Sequence, residues 1–330
     1  MGIKKNNERT LVAGIGSALT DLLIHEEDAF LEKCGAVKGG MVYTEPEHLG
    51  KMLTLTANPP SVVPGGSACN TIIGVGKLGG PARFVGKCGK GEIGQLYEQD
   101  LRRNGVEPLL FTSATPSGRV LSVITPDAQR SMMTYLGASA ETRPEEITPG
   151  CFADSAIVHV EGYLLFNREL IQAALESARQ AGALISIDLA SFTVVEQAKD
   201  FLDDLVREYV DILIANEDEA AAFTGFTRPD DAIKALSEKS PVSVLKVGPE
   251  GSYVSEGKEI IKIAAKIGEP IVDTTGAGDL WASGFLYGLA HDFSLEKAAM
   301  LGSLCGYEVC KTDGARIPEE KWEGIRRYFL

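Results

Sequence analysis

The chain has 330 residues, 44% hydrophobic and 24% charged, with a formal net charge of −14. That is enough apolar material for one large α/β domain or two ordinary ones, and the acidity excludes a nucleic-acid backbone as partner by repulsion. No apolar stretch reaches the ~18 residues of a membrane span, and after the basic start Met1–Arg9 the run from Thr10 to Ile15 is too short for a signal-peptide core. Cys34, Cys69, Cys88, Cys151, Cys305 and Cys310 show no C-x-x-C spacing and read as buried, reduced thiols, so a cytoplasmic protein is expected.

In chain order, Leu11–Gly16 reads as a short buried strand ending in glycine. From there to Val63 the pattern is weak, broken by Pro46, Pro59, Pro60 and Pro64. A helix opens at Gly66 and closes on Gly79-Gly80. Arg83–Cys88 is a strand, and Ile93–Arg103 a helix closed by Asn104-Gly105. Val120–Thr125 and Ser131–Leu136 flank the turn Pro126-Asp127-Ala128-Gln129, which makes a hairpin rather than a strand–helix unit. The alternation then resumes with strands at Ala156–Val160, Ala183–Ile187, Asp211–Ile214 and Val242–Val247, and a helical pattern such as Arg168–Ala181 between them. Three helices, Ala277–Ala290, Leu295–Val309 and Glu319–Phe329, end the chain. Such alternation predicts a mostly parallel sheet with helices on both faces. The two stretches off that rhythm, about 17–62 and 107–137, are expected to form a small β lid over the carboxyl edge of the sheet, where ligands of open α/β sheets bind.

The densest chemistry lies in Asp273-Thr274-Thr275-Gly276-Ala277-Gly278-Asp279, directly before an apolar helical run. Gly276, Ala277 and Gly278 leave backbone N–H groups uncovered at a helix N-terminus, a place suited to a phosphate. Asp279 stands within reach of a hydroxyl that would attack that phosphate, and a cradle with an adjacent base is the least that a kinase needs. The turn can also do no more than connect two elements, with Asp279 serving the helix dipole. A G-x-G-x-x-G dinucleotide loop fails at the first strand, because Leu19 holds the third glycine position.

Asp273–Asp279 resembles a signature of the PfkB, or ribokinase-like, carbohydrate and nucleoside kinases, and Gly65-Gly66-Ser67-Ala68-Cys69-Asn70-Thr71 is similar to that family's N-terminal signature. The resemblance spans nearly the whole chain. It implies one kinase domain over 1–330, a Rossmann-like α/β core with a β-sheet lid, and transfer of the γ-phosphate of ATP, with Mg²⁺, to a primary hydroxyl. By resemblance Asp279 is the base, and the Gly276, Ala277 and Gly278 N–H groups hold the developing charge. Asn216 and Glu219 match an N-x-x-E motif that handles Mg²⁺ and phosphate, partly through water, and Asn216 serves equally as a helix cap. Lys246, Gly248 and Gly251 fall in a segment that borders the nucleotide in relatives, as Thr274 does. Backbone carbonyls of Asp273 and Thr275 match a K⁺ site of many relatives.

On the acceptor side the resemblance points to Asp21, Gly65, Gly66 and Asn70, with Asp21 suited to a vicinal diol. Strand alternation puts Arg130, Met132, Thr134 and Leu136 on one face. If that face turns inward, Arg130 reaches the phosphates over an apolar lining. Tyr163, at the end of the Ala156–Val160 strand, is placed to stack on an aromatic ligand. Gly65–Thr71, Arg130–Leu136 and Asp273–Gly288 are most similar to adenosine kinase-like members of the family. They direct the expectation to a ribonucleoside, adenosine first, with ribose or fructose as the alternative acceptor and a non-catalytic ligand sensor as a remote one. A lid edge strand leaves both monomer and homodimer open.

Overall fold

The computed structural model describes residues 8–329 except 37, 57–58, 128, 267 and 269. Met1–Asn7 and Ala128, read above as part of the basic start and of a turn, lie outside them. The chain enters the core with β1 (Leu11–Ile15) and leaves at once for the lid: β2 (Leu19–His25), α1 (Asp28–Cys34), β3 (Met41–Tyr43), α2 (Pro46–Leu55) and β4 (Ser61–Gly65). It returns through α3 (Ser67–Leu78), β5 (Ala82–Gly89), α4 (Glu92–Arg103) and β6 (Val106–Ser113). A second excursion adds β7 (Gly118–Ile124) and β8 (Arg130–Tyr135). Strand–helix units follow: β9 (Ser155–Glu161), α5 (Arg168–Gln180), β10 (Leu184–Asp188), α6 (Phe192–Tyr209), β11 (Ile212–Asn216), α7 (Glu217–Thr224), α8 (Pro229–Ser237) and β12 (Val242–Lys246). The hairpin β13 (Ser252–Glu256) and β14 (Glu259–Ile263) closes the sheet, and α9 (Ala277–Ala290), α10 (Leu295–Val309) and α11 (Glu319–Phe329) complete the chain.

The nine-stranded sheet runs β14-β13-β12-β11-β10-β9-β1-β5-β6, parallel except at the terminal hairpin. Its inner strands β10, β11 and β12 are mostly Val, Ile and Leu because both faces are covered. One face packs on α3, α9 and α10 around Ile72, Phe84, Phe285 and Leu301, and the other around Leu175, Val195 and Leu202 of α5 and α6. Glycines let helices of the first layer touch. A Cβ on Gly74 of α3 would lie 2.3 Å from Ser283 Oγ of α9, and one on Gly284 would meet the Leu301 backbone of α10 at 2.8 Å.

The lid is a separate five-stranded sheet, β3-β8-β7-β2-β4. Leu22, Ile24, Leu121, Val123 and Met133 on its outer face pack under α1 and α2 with Phe30, Leu31 and Leu49. One boundary differs from the sequence reading. Residues 106–113 do not belong to the lid but pair in parallel with β5 as the edge of the large sheet, so the second lid segment begins at Gly118. β6 hides in the sequence because only one side of it is paired: its burial pattern is ragged, and Pro108, which lacks a ladder donor, is tolerated there. The first lid segment extends to Gly65, three residues beyond the expected end at 62.

Candidate active site

Four neighbouring parallel strands end on a polar residue: Glu161 on β9, Asp188 on β10, Asn216 on β11 and Lys246 on β12. Asp188 is in register with Glu161, and Asn216 with Lys246, so these side chains share one face of the carboxyl edge. They form the floor of a cavity of about 1030 Å³ between sheet and lid. Asp279 and the Gly276–Gly278 turn wall it on one side, and Asp21, Arg130, Met132, Thr134, Leu136 and Tyr163 line the other.

Asp279 sits in the first turn of α9, whose N-cap, Gly276, has φ +75°. A Cβ on Gly276 would lie 2.5 Å from Ala315 Cβ, so the position needs glycine both for its φ and for its room. Because α3 and α9 touch at Gly74 and Ser283, the start of α3 arrives beside Asp279. Ser67 Oγ donates to Asp279 Oδ1 (2.8 Å), Asn70 Nδ2 to Oδ2 (2.9 Å) and Thr71 Oγ1 to its carbonyl (3.1 Å). The two sequence signatures are therefore one structure. Burial pushes the Asp279 pKa up to about 6, against the pull of the Asn70 and Ser67 hydrogen bonds. The carboxylate is held in one orientation, yet it can still take a proton near neutral pH.

Lys246 pairs with Asp188 (2.8 Å), and its Nζ lies 2.9 Å from where a Cβ on Gly278 would be. The ammonium therefore stands directly beside the Gly276–Gly278 turn. Burial works against its charge, but Asp188 and Glu219 outweigh that and raise its pKa. Asn216 and Glu219 form a reciprocal cap: Glu219 N donates to Asn216 Oδ1 (2.9 Å), while Asn216 N and Nδ2 each donate to Glu219 (2.8 Å). Burial, and then the nearby Asp188, raise the pKa of Glu219, which is 3% exposed. Hard oxygens on a buried, partly negative corner fit Mg²⁺, which prefers such donors and keeps its own waters.

Sequence reasoning passed over Glu161 and Asp188. Glu161 accepts from Ser17 N (2.7 Å) and Ala68 N (3.1 Å), which ties the start of the lid to the start of α3. Burial pushes its pKa up to about 7 against those N–H groups. The signal was present in the sequence, since each apolar strand run ends abruptly on a carboxylate.

Other expected residues fall in different places. Asp21 accepts from Arg130 Nη2 (2.8 Å) and Ser122 Oγ (3.2 Å), so Nη2 of Arg130 is engaged with a lid carboxylate, while the residue also lines the cavity. Burial raises the Asp21 pKa, opposed first by Arg130. A Cβ on Gly65 would stand 2.7 Å from Asp21 Oδ2, so that glycine makes room for the carboxylate. Asp273 pins its own loop, accepting from Thr275 N (2.9 Å) and Oγ1 (2.8 Å) and from Gly314 N (2.9 Å). Thr274 and Thr275 line the cavity. Gly248 and Gly251 do not: they shape the turn between β12 and β13, where a Cβ on Gly251 would meet Ile263 O at 2.0 Å.

The model of the pfkB family of carbohydrate kinases matches residues 29–322. The chain belongs to that family. It is similar over 98% of its length to the crystal structure of adenosine kinase from Sinorhizobium meliloti, with 32% identity, a TM-score of 0.89 and all of that chain covered. A probable sugar kinase protein from Rhizobium etli CFN 42 matches 97% of the chain at 31% identity and a TM-score of 0.90, with 98% of its own length covered. Probable fructokinase-5 of Arabidopsis thaliana is 29% identical over 278 residues, which is 77% of this chain and 84% of the plant protein. This pfkB-family chain is thus a phosphotransferase acting on an alcohol group of a sugar or nucleoside. Among its described residues no helix is long and apolar enough to cross a membrane.

Proposed function

We infer that this kinase transfers the γ-phosphate of ATP to the 5′-hydroxyl of a ribonucleoside, with adenosine its first acceptor. The observation that carries the reading is the inner face of the lid. Met41, Tyr43, Val120, Met132 and Leu136 give the lid side of the cavity apolar surface, beside the Asp21–Arg130 ion pair and the polar Gln129 and Thr134. A flat base suits the apolar part, and a ribose diol suits a carboxylate able to accept from both hydroxyls. A bare sugar would leave that apolar face unused.

In this reading Asp279 takes the proton of the attacking hydroxyl. The N–H groups of Gly276 and Gly278 hold the charge that develops on the transferred phosphoryl group, and Lys246 supplies positive charge beside them. The Ala277 N–H, expected to join them, instead donates to Thr274 O (3.1 Å) within the turn. Asn216 and Glu219 would hold Mg²⁺ through its waters, and the ion when bound neutralises phosphate charge. Asn70 and Ser67 orient the base, and Tyr163 lies where a base can stack.

The likeness to a probable sugar kinase and a probable fructokinase favours a second reading, a sugar acceptor at the same base. One assay separates the two: ADP formation from Mg-ATP with adenosine, inosine, guanosine, cytidine, ribose and fructose. Turnover with nucleosides alone is the expected result. Turnover with ribose or fructose alone would keep Asp279 and overturn the acceptor.

A further inference from the structure

The lid hangs from the core at Pro64-Gly65-Gly66, where β4 ends and α3 begins, and two side chains from the core grip it there. Tyr97 OH, buried in α4, donates to Gly65 O at 2.8 Å. Arg316 Nη2 donates to Pro64 O and also to Asp100 Oδ2 (3.0 Å). In the lid Pro64 is the register partner of Thr20, one residue before Asp21. Whatever fixes Pro64 therefore fixes the strand that carries the acceptor carboxylate.

The segment that carries Arg316 also touches the other end of the cavity. Gly314 N donates to Asp273 Oδ2 (2.9 Å), and the other oxygen of Asp273 holds Thr275. Ala315 fills the space that a Cβ on Gly276 would need. Thr312 Oγ1 donates to Arg316 O (3.0 Å) and so stiffens the loop. A short, internally bonded segment thus connects the phosphate-holding turn to the lid hinge without passing through the cavity.

We propose that residues 312–316 act as a strut, with Arg316 as a positioning residue that makes lid closure over the acceptor depend on phosphate at Gly276–Gly278. A phosphate on those N–H groups orders the turn. The turn fixes Gly314 and Ala315, and Arg316, whose Nη2 bonds a lid carbonyl and a core carboxylate at once, passes that order to Pro64. The inference takes the anion hole from the reading above and is independent of which acceptor is phosphorylated.

Hydrogen exchange with and without Mg²⁺ and a non-hydrolysable ATP analogue tests it. Wild type is expected to gain protection at 276–279, which reports nucleotide binding, and also at 61–66, the hinge. In Arg316→Met the first gain stays and the second is lost. In steady state its KM for the acceptor rises about tenfold, within the range of couplings between sites, while KM for ATP stays within about twofold. A merely structural role would lower the melting temperature and weaken both substrates together. Both bonds leave the single nitrogen Nη2, so Arg316→Lys keeps the charge and one donor nitrogen on a shorter side chain, and it is expected to fold and lose less hinge protection than Arg316→Met. A folded Arg316→Met with wild-type protection at 61–66 overturns the strut. Wild-type protection at 276–279 with none at 61–66 overturns it while leaving the anion hole standing; no protection at either overturns both.

Discussion

On the floor of the cavity, Glu161, Asp188, Asn216 and Lys246 end strands that are hydrogen-bonded on both sides and clamped between two helical layers. Across from them, Asp21, Arg130 and Met132 stand on a thin sheet with its own small core around Leu22, Phe30, Leu121 and Met133. The floor is dense in buried charge, and the wall beside it holds Asp279 by two side-chain hydrogen bonds. The lid offers one ion pair amid largely apolar surface. On the proposed reading, chemistry that must not move stands on the sheet and on α9, and recognition on the part whose packing can yield. Substitutions on the floor and its wall should act on kcat and stability, and substitutions on the lid on acceptor KM.

The sharpest test is Asp279→Asn. Loss of a general base predicts a fall in kcat of about 10²–10⁴-fold with acceptor KM little changed. Wild-type kcat should also show an acid limb near pH 6, because the base must be ionised. Stability has the opposite sign. The unfolded carboxyl ionises near 3.8 and the folded one near 6, so between those values the folded state holds the extra proton, and stability falls as pH rises through that window. At pH 8 the Asn variant should therefore be more stable by about 1–2 kcal/mol, read as a higher melting temperature. A variant that turns over normally, or an acid limb absent from wild type, would remove Asp279 as base.

The second test is Lys246→Met, which leaves the buried Asp188 without its cation. Removing one partner of such a pair should lower stability by about 3 kcal/mol, and Asp188→Asn added to it should restore much of that without restoring activity. Because Lys246 lowers the Asp279 pKa and Asp188 raises it, the acid limb should move to higher pH in Lys246→Met and to lower pH in Asp188→Asn. Limbs that do not move would show that floor and base are electrically independent.

How far the sequence reveals this site follows the same division. The Gly276–Asp279 turn is contiguous, so its chemistry can be read directly, and the extents expected for α9, α10 and α11 are those observed. Glu161 and Asp188 were legible only as the ends of apolar runs, a pattern that also describes any strand reaching solvent. The lid was the least legible region. β3 has three residues, β2 alternates half-buried with buried positions, and both pair with strands far along the chain. The Asp21–Arg130 contact joins residues 109 positions apart, and no local pattern announces it. Arg130 was expected to face phosphate because alternation gives a side chain its face but not its partner.

That ion pair provides the mildest test, and one confined to the lid. Arg130→Met should leave the floor untouched, so kcat at saturating acceptor is expected to stay within a few-fold of wild type. Its effect falls on Asp21. Burial raises that carboxyl's pKa and Arg130 is the largest opposing influence, so without the guanidinium the pKa climbs further. A protonated carboxyl accepts poorly from a diol, and acceptor KM should rise by about tenfold, the equivalent of one charge-assisted hydrogen bond. The sign of the pH dependence makes the cause identifiable. In the variant KM should fall as pH rises and Asp21 ionises again, while over the same range wild type changes less. A KM that rises in the variant without this recovery would assign Arg130 to direct contact with the ligand, and the lid would then carry chemistry as well as recognition.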